Sequence, residues 1–245
     1  MGCQIDINAD VGEGMGNEVQ LLPLVSSCNI ACGGHAGDEE TMRTVIKLAQ
    51  KNSIKIGAHP SYPDKENFGR VIVDMPFIDL VASLKNQIEV LINIIKEENA
   101  TLHHIKPHGA LYNYAAINTE AATAVVEAMK QLSIKVKLYA PYKSVLADLA
   151  IKNNIEVVFE AFADRNYNPD LTLVSRKLEN AVIKDEKLVF NHVYKMFTQQ
   201  KVLTIKNTKT PIKAQTFCVH GDNPKAIQLI KYLTSELKNK GISIR

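Results

Sequence analysis

The chain has 245 residues, with 29 Lys and Arg against 26 Asp and Glu, and its formal net charge is +3. So small a positive excess does not make the basic surface that binds a nucleic-acid backbone, so no nucleic-acid partner is expected. No run of 18 apolar residues occurs, so no membrane span is expected. The first residues lack a basic region followed by an apolar run, which argues against a secretory signal and predicts a cytoplasmic protein.

Short strands alternate with helices along the chain, and the period of the apolar residues distinguishes the two. Strands are predicted over residues 5–10, 26–31, 54–58, 102–106, 136–140, 157–162 and 215–219. Helices are predicted after Asp38, over residues 77–98, 118–132, 144–153 and 185–200, and from Pro224 onward. This order predicts an α/β fold with a mainly parallel sheet, in a single domain over residues 1–245.

Polar clusters that contain His, Asp, Lys or Glu follow the ends of these strands. An open doubly wound sheet uses only two or three strand ends at its switch point, whereas a barrel collects all of them on one rim. The number of clusters therefore favours a closed or nearly closed barrel. Four of the seven histidines adjoin a glycine or proline at these ends, where loops carry chemistry: His35, His59, His108 and His220.

The first cluster places three polar side chains on one face of a strand. Asp6, Asn8 and Asp10 alternate with apolar residues, and polar groups that face a barrel interior are costly unless they bind something. The alternative is an exposed edge strand. The glycines at 12, 14 and 16 lack the spacing of a dinucleotide loop, and no phosphate-binding loop motif occurs, so the chain carries no recognisable nucleotide motif of its own.

The later clusters offer charged groups of several kinds. Arg70 lies in a glycine-bounded loop and is a candidate clamp for a carboxylate or phosphate. Lys106 closes an apolar strand, so it either reaches solvent or is held in a polar pocket. Glu160 and Asp164 share one face by alternation. Of His103 and His104, at least one is expected to face away from the interior.

Carboxylates and imidazoles that converge on one rim permit two kinds of chemistry. They could bind a divalent metal ion that activates water. They could instead act without a metal, as acids and bases on a small carboxylate substrate. The spacing alone does not decide between these.

Taken together, the motifs resemble the LamB/YcsF family over nearly the whole chain. The matching stretches are DINADVGEG at 6–14, NIACGGHAGD at 29–38, GAHPSYPD at 57–64 with FGR at 68–70, KPHGALYN at 106–113, EAFADRNY at 160–167 with Arg176, and CVHGD at 218–222.

The resemblance implies an irregular (β/α) barrel similar to the glycoside hydrolase/deacetylase superfamily. It also implies the role of the A subunit in a prokaryotic ATP-dependent 5-oxoprolinase, which converts 5-oxo-L-proline, ATP and water to L-glutamate, ADP and phosphate. Partner subunits B and C would then supply activation of the lactam by ATP. A metal-dependent carbohydrate deacetylase is the rival suggested by the fold relatives, and a non-catalytic subunit is a third alternative.

Residue roles follow from this chemistry as hypotheses. Asp10 or His59 would be the base for water, and Lys106 with His108 would face the developing charge. Arg70 or Arg165 would hold the substrate carboxylate. The other expected substrate-binding residues are Asn8, His35, Tyr112, Glu160, Asp164, His220 and Asp222.

Overall fold

The structure, a computed structural model, describes residues 3–221 and 225–245. Asp222 and Pro224, both singled out by the sequence, lie outside the described residues. The strands are β1 (Cys3–Val11), β2 (Ser27–Ala31), β3 (Lys55–His59), β4 (Leu102–Ile105), β5 (Lys137–Pro141), β6 (Val157–Phe162), β7 (Lys201–Leu203), β8 (Lys209–Pro211), β9 (Thr216–Val219) and β10 (Ile242–Ile244). The helices are α1 (Glu18–Leu21), α2 (Glu39–Lys51), α3 (Phe77–Glu97), α4 (Gly109–Ala115), α5 (Thr119–Gln131), α6 (Val145–Lys152), α7 (Glu186–Gln199) and α8 (Ala226–Asn239).

The main sheet closes on itself. Within the described ranges, β1, β2, β3, β4, β5, β6 and β9 pair in that order, all parallel, and β9 pairs back with β1. The predicted closed (β/α) barrel is therefore confirmed. β10 adds to the beginning of β1, and β7 with β8 forms a separate antiparallel hairpin.

Side-chain caps mark the starts of four of the predicted helices. Asp38 accepts a hydrogen bond from the Thr41 amide, and Asp185 accepts one from Leu188. Such a cap pairs a backbone donor that has no partner within the helix. Asn118 and Ser144 cap α5 and α6 in the same way.

The apolar core lies between the barrel and its helices, whereas the barrel interior is polar. On β1, Ile5 and Ile7 are buried in the hydrophobic core, and the alternating Asn8 contacts Glu160 and Thr216 across the interior. Because β1 is hydrogen-bonded to strands on both sides, the edge-strand alternative is wrong. The parallel strands all point their carboxyl ends at one rim, where the polar clusters collect.

Candidate active site

A cavity of about 780 Å³ opens at the carboxyl ends of the barrel strands. Loops that follow β1, β3, β4, β5, β6 and β9 all contribute to its wall. The ionisable side chains that line it include Asp10, Glu13, His59, Arg70, Lys106, His108, Tyr112, Glu160, Arg165, Arg176 and His220.

Lys106 is the charged centre of the deep end of this cavity. Its ammonium nitrogen lies 3.0 Å from Asp10 Oδ1 and 3.0 Å from Glu160 Oε1. It also donates to Cys218 Sγ at 3.0 Å and to Asn8 Oδ1 at 3.3 Å. Lys106 therefore lies in a polar pocket and does not reach solvent.

The charges at the deep end stabilise one another. Burial alone would lower the pKa of Lys106, but Asp10 and the other acidic neighbours raise it well above its usual range. Burial alone would raise the pKa of Asp10, but His59 and Lys106 lower it well below its usual range. Both groups are consequently charged at neutral pH.

A buried amide network fixes the orientation of Asp10. The Asn29 amide group donates to Asp10 Oδ1 at 2.7 Å and to Asn8 Oδ1 at 2.8 Å. The Asn29 carbonyl oxygen lies 2.7 Å from His104 Nε2, so His104 donates to it. The His104 ring stacks on Tyr139 with centroids 3.7 Å apart. His104 thus belongs to the barrel interior.

Three histidines and one carboxylate form a second cluster beside Asp10, which we call the histidine cluster: Glu13, His35, His59 and His108. His35 Nε2 lies 3.0 Å from Glu13 Oε1, and His108 Nδ1 lies 2.9 Å from His59 Nε2. One ligand atom from each of the four residues lies within 4.8 Å of the others, so the cluster could hold a metal ion.

Burial keeps the His35 and His108 rings from carrying charge easily. Burial and, to a smaller extent, the nearby His59 lower the pKa of His35 to about 3. Burial also lowers the pKa of His108 well below its usual range, with the neighbouring histidines acting in the same direction. A cation in this cluster would therefore have to be balanced by Glu13 and Asp10.

The loop after β3 brings the cluster and Arg70 together. Gly69 has φ of +62°, and a Cβ there would press on His35 and His108, so only glycine allows this close approach. Arg70 follows directly and lies over the Phe68 ring at 4.8 Å on the cavity wall.

The opposite wall is built from β6 and its loop. Burial and the charge of Glu160 raise the pKa of Tyr112 well above its usual range, which keeps the phenol protonated. Asp164 Oδ1 lies 2.8 Å from His220 Nδ1 and orients that ring. Arg165 donates to the carbonyl oxygens of Ala181 and Val174, so part of its guanidinium holds the wall together.

Most of the predicted site residues come together around the cavity, and three lie behind its wall. Those on the wall are Asp10, His59, Arg70, Lys106, His108, Tyr112, Glu160, Arg165 and His220. The three buried behind it are Asn8, His35 and Asp164. Asp222 lies outside the described residues.

Sequence reasoning missed four residues that build the site. Glu13 carried a usable signal in the sequence, because it lies between two glycines directly after a polar strand. In the structure both glycines have positive φ. Asn29 and Cys218 lie inside recognised motifs but are not ionised groups. His104 could not be distinguished from His103 before the strand register was known.

Comparison with known proteins identifies the family. The model of the LamB/YcsF family matches residues 5–245. The chain belongs to the LamB/YcsF family. Among similar proteins, the A subunit of a 5-oxoprolinase from Acinetobacter baylyi is 42% identical over 99% of this chain and 97% of its own length. The corresponding 5-oxoprolinase A subunit from Haemophilus influenzae is 39% identical over 98% of each chain.

A solved structure is similar to this chain over almost its whole length. The crystal structure of a lactam utilization protein from Thermus thermophilus superposes with a TM-score of 0.93 at 32% identity, and covers 99% of both chains. Across the residues described, no helix has the length and apolar character needed to cross a membrane.

Proposed function

We propose that this LamB/YcsF protein is the A subunit of an ATP-dependent 5-oxoprolinase, which opens the ring of 5-oxo-L-proline to give L-glutamate. The observation that carries the proposal is the match along almost the whole chain to relatives that bear this name. The cavity supports it, because a small lactam with one carboxylate suits a pocket that holds both cations and acid–base groups.

The chemistry requires activation, because an amide is a poor electrophile. Phosphorylation of the lactam oxygen by ATP makes the carbonyl carbon electrophilic enough for water to attack it. Water then adds to that carbon, the ring C–N bond breaks, and the nitrogen takes a proton and becomes the amino group of glutamate. Phosphate is released, so 5-oxo-L-proline, ATP and water give glutamate, ADP and phosphate.

The deep end of the cavity provides groups for each part of this reaction. Asp10 or His59 takes the proton from water, since both border the same space. Lys106 and His108 face the charge that develops on oxygen. Arg70 or Arg165 holds the substrate carboxylate, and Arg70 has the more accessible position because its side chain is exposed whereas Arg165 is buried.

Activation by ATP is assigned to partner subunits B and C. The relatives are named as one subunit of an enzyme, which implies partners. The sequence has no phosphate-binding loop motif, in keeping with such a division of labour. The use of ATP points to the cytoplasm as the location.

The test is an assay of glutamate release from 5-oxo-L-proline and ATP, with this chain, with the partner subunits, and with all three. Glutamate is expected only from the complete mixture. Lys106→Ala is expected to lower the rate by about 10²- to 10³-fold or more, as the loss of a charge-stabilising group does.

Lys55→Ala is the matched control. Lys55 is also a barrel lysine bonded to an aspartate of β1, but it lies at the other end of the barrel. Its replacement should leave the rate within about 2-fold of the original, a change of less than about 0.5 kcal/mol. Full activity in Lys106→Ala, or equal losses in both variants, would contradict the assignment.

The histidine cluster favours one second candidate, a metal-dependent hydrolase of acetylated carbohydrate. Release of acetate from an acetylated sugar by the chain alone, abolished by a chelator, would support that function. Glutamate release that needs ATP and the partner subunits would exclude it as the main activity.

A further inference from the structure

Two backbone carbonyls determine the tautomers of His59 and His108. His59 Nδ1 lies 2.7 Å from the carbonyl oxygen of Lys106, and His108 Nε2 lies 3.0 Å from that of Phe68. A carbonyl oxygen only accepts, so each of these ring nitrogens carries a hydrogen. In the neutral rings the other two nitrogens, His59 Nε2 and His108 Nδ1, therefore carry lone pairs.

These two lone-pair nitrogens face each other at 2.9 Å. Two acceptors at hydrogen-bond distance repel each other unless a positive centre lies between them or beside both. Glu13 Oε1 adds a third electron-rich atom, 3.3 Å from His108 Nδ1 and 3.9 Å from His59 Nε2. The positive centre can be a proton shared by the rings or a metal ion.

We propose that His59 Nε2, His108 Nδ1 and a Glu13 carboxylate oxygen bind one divalent transition-metal ion of the zinc class. Zinc–nitrogen and zinc–oxygen bonds of about 2.0–2.2 Å place the ligand atoms of a tetrahedral site about 3.3 to 3.5 Å apart. The three separations of 2.9, 3.3 and 3.9 Å lie around that spacing. Imidazole and carboxylate donors together suit zinc and its first-row neighbours.

His35 is a positioning residue in this site and not a ligand. Its ring is parallel to that of His108, with centroids 3.6 Å apart and an angle of 3°. An imidazole binds a metal ion that lies in its own ring plane. One ion cannot lie in the planes of two stacked parallel rings, so His35 and His108 cannot both bind it. His35 Nε2 instead donates to Glu13 Oε1 at 3.0 Å, which orients the carboxylate.

The surroundings have the form that metal-binding histidines usually show. In such sites the second ring nitrogen donates to a backbone carbonyl or carboxylate, which sets the tautomer. His59 and His108 both do this through Lys106 and Phe68. The three ligands border the cavity, so the remaining positions face it, as in a catalytic site. A metal here would occupy the lone pairs of both His59 and His108, which leaves Asp10 as the candidate base and Lys106 as the group that faces the developing charge.

Metal content and binding test the proposal without any assay of turnover. The purified chain, stripped with a chelator, is titrated with Zn²⁺ by calorimetry, and its metal content is then measured by mass spectrometry. One ion per chain is expected. His108→Ala and Glu13→Gln should each weaken binding by about 100-fold or more, and His35→Gln by about 10- to 100-fold, as loss of an outer-shell partner does.

His192→Gln is the control, because His192 is a histidine outside the cavity that stacks on Tyr167. It should retain binding of one ion. Circular dichroism of each variant shows whether the fold persists. The original protein gives a second readout that needs no variant: Zn²⁺ should shift the ¹⁵N resonances of His59 Nε2 and His108 Nδ1 more than those of His192.

Three results would overturn the proposal. The first is that Zn²⁺, Co²⁺ and Mn²⁺ all fail to bind at one ion per chain. The second is that folded His108→Ala and Glu13→Gln bind zinc as the original protein does. The third is that ¹⁵N spectra show a proton shared between His59 and His108 that added zinc does not displace. Failure of glutamate formation would leave the metal site standing, because none of these readouts depends on it.

Discussion

Each of the two aspartates on strand β1 forms an ion pair with a lysine, and the two pairs differ in their exposure and surroundings. Asp6 binds Lys55 at 2.9 Å at one end of the barrel, and Asp10 binds Lys106 at 3.0 Å at the other. The Lys55 side chain is 38% exposed, whereas that of Lys106 is 2% exposed. The same pair of residue types is thus partly exposed at one end and buried in a charged pocket at the other.

The difference shows that an aspartate–lysine pair contributes to a candidate active site only when its surroundings are a buried, charged cavity. Asp6 accepts hydrogen bonds from the hydroxyls of Ser27 and Thr216 besides its lysine, so its interactions belong to the barrel wall. Lys106 instead joins two carboxylates, a thiol and an amide at the floor of a cavity. Low local dielectric strengthens every charge interaction there.

The largest expected effect is the loss of unfolding free energy when the lysine of each pair is replaced, which should differ between the two pairs. Lys106→Met leaves Asp10 and Glu160 buried without their cation, which typically costs about 3 to 5 kcal/mol, whereas Lys55→Met should cost about 0 to 1 kcal/mol. Urea unfolding of both variants measures the free energies of unfolding. The double variant Lys106→Met, Asp10→Asn should recover part of the loss, and equal losses in the two single variants would break the comparison.

The next effect tests whether the amide network supports only the buried pair. His104→Phe keeps a ring against Tyr139 but removes the donor to Asn29, leaving a buried acceptor unpaired at a cost of about 1 to 3 kcal/mol. Asp10 then loses its fixed orientation, so kcat for glutamate release should fall while KM changes little. An unaltered kcat in the folded variant would show that the network is structural only.

A smaller effect concerns a histidine that belongs to neither pair. Burial lowers the pKa of His192 to about 4 from its usual 6.5, so the unfolded chain binds a proton more readily than the folded chain between these values. Stability from this group is present above pH 6.5 and is lost as pH falls towards 4. Up to about 3 kcal/mol of the acid destabilisation should disappear in His192→Gln, as measured by unfolding at a series of pH values. Parallel curves of unfolding free energy against pH for the original protein and His192→Gln would contradict this.

The smallest effect is the coupling within the exposed pair. A double-mutant cycle of Lys55→Met and Asp6→Asn should give a coupling free energy of about 0.2 to 1 kcal/mol, and about 1 M salt should reduce it further. Urea unfolding at two salt concentrations supplies the four free energies needed at each. A coupling as large as that of the Lys106 pair would show that exposure does not distinguish them.

The sequence predicted the barrel well because its signals are local. Alternation on β1, helical spacing on α3 and side-chain caps such as Asp38 each depend on a few neighbouring residues. The hairpin of β7 and β8 and the strand β10 were missed, since each strand has three residues and acquires its structure from pairing. The helix α4 was missed because it follows Lys106 and Pro107 within a motif interpreted as a loop.

The candidate site was predictable in content but not in geometry. The motifs contained nearly all of its ionisable residues, yet no spacing shows that His59 and His108 present lone pairs to each other. That fact depends on two carbonyls, one of them in the loop that turns at Gly69. The role of His104 likewise depends on strand register, which also brings its ring so close to Gly57 that a Cβ there would overlap it.

The closure of the barrel by β1 and β9 also determines when the site can exist during synthesis. Asn8 donates to Thr216, a residue 208 positions later in the chain, and Lys106 contacts Cys218 of β9 across the barrel interior. Until β9 leaves the ribosome, the carboxylates on β1 face an open sheet and the buried lysine has an incomplete set of partners. Contacts of such long range form slowly, so the charged interior should be completed only after β9 has been synthesised.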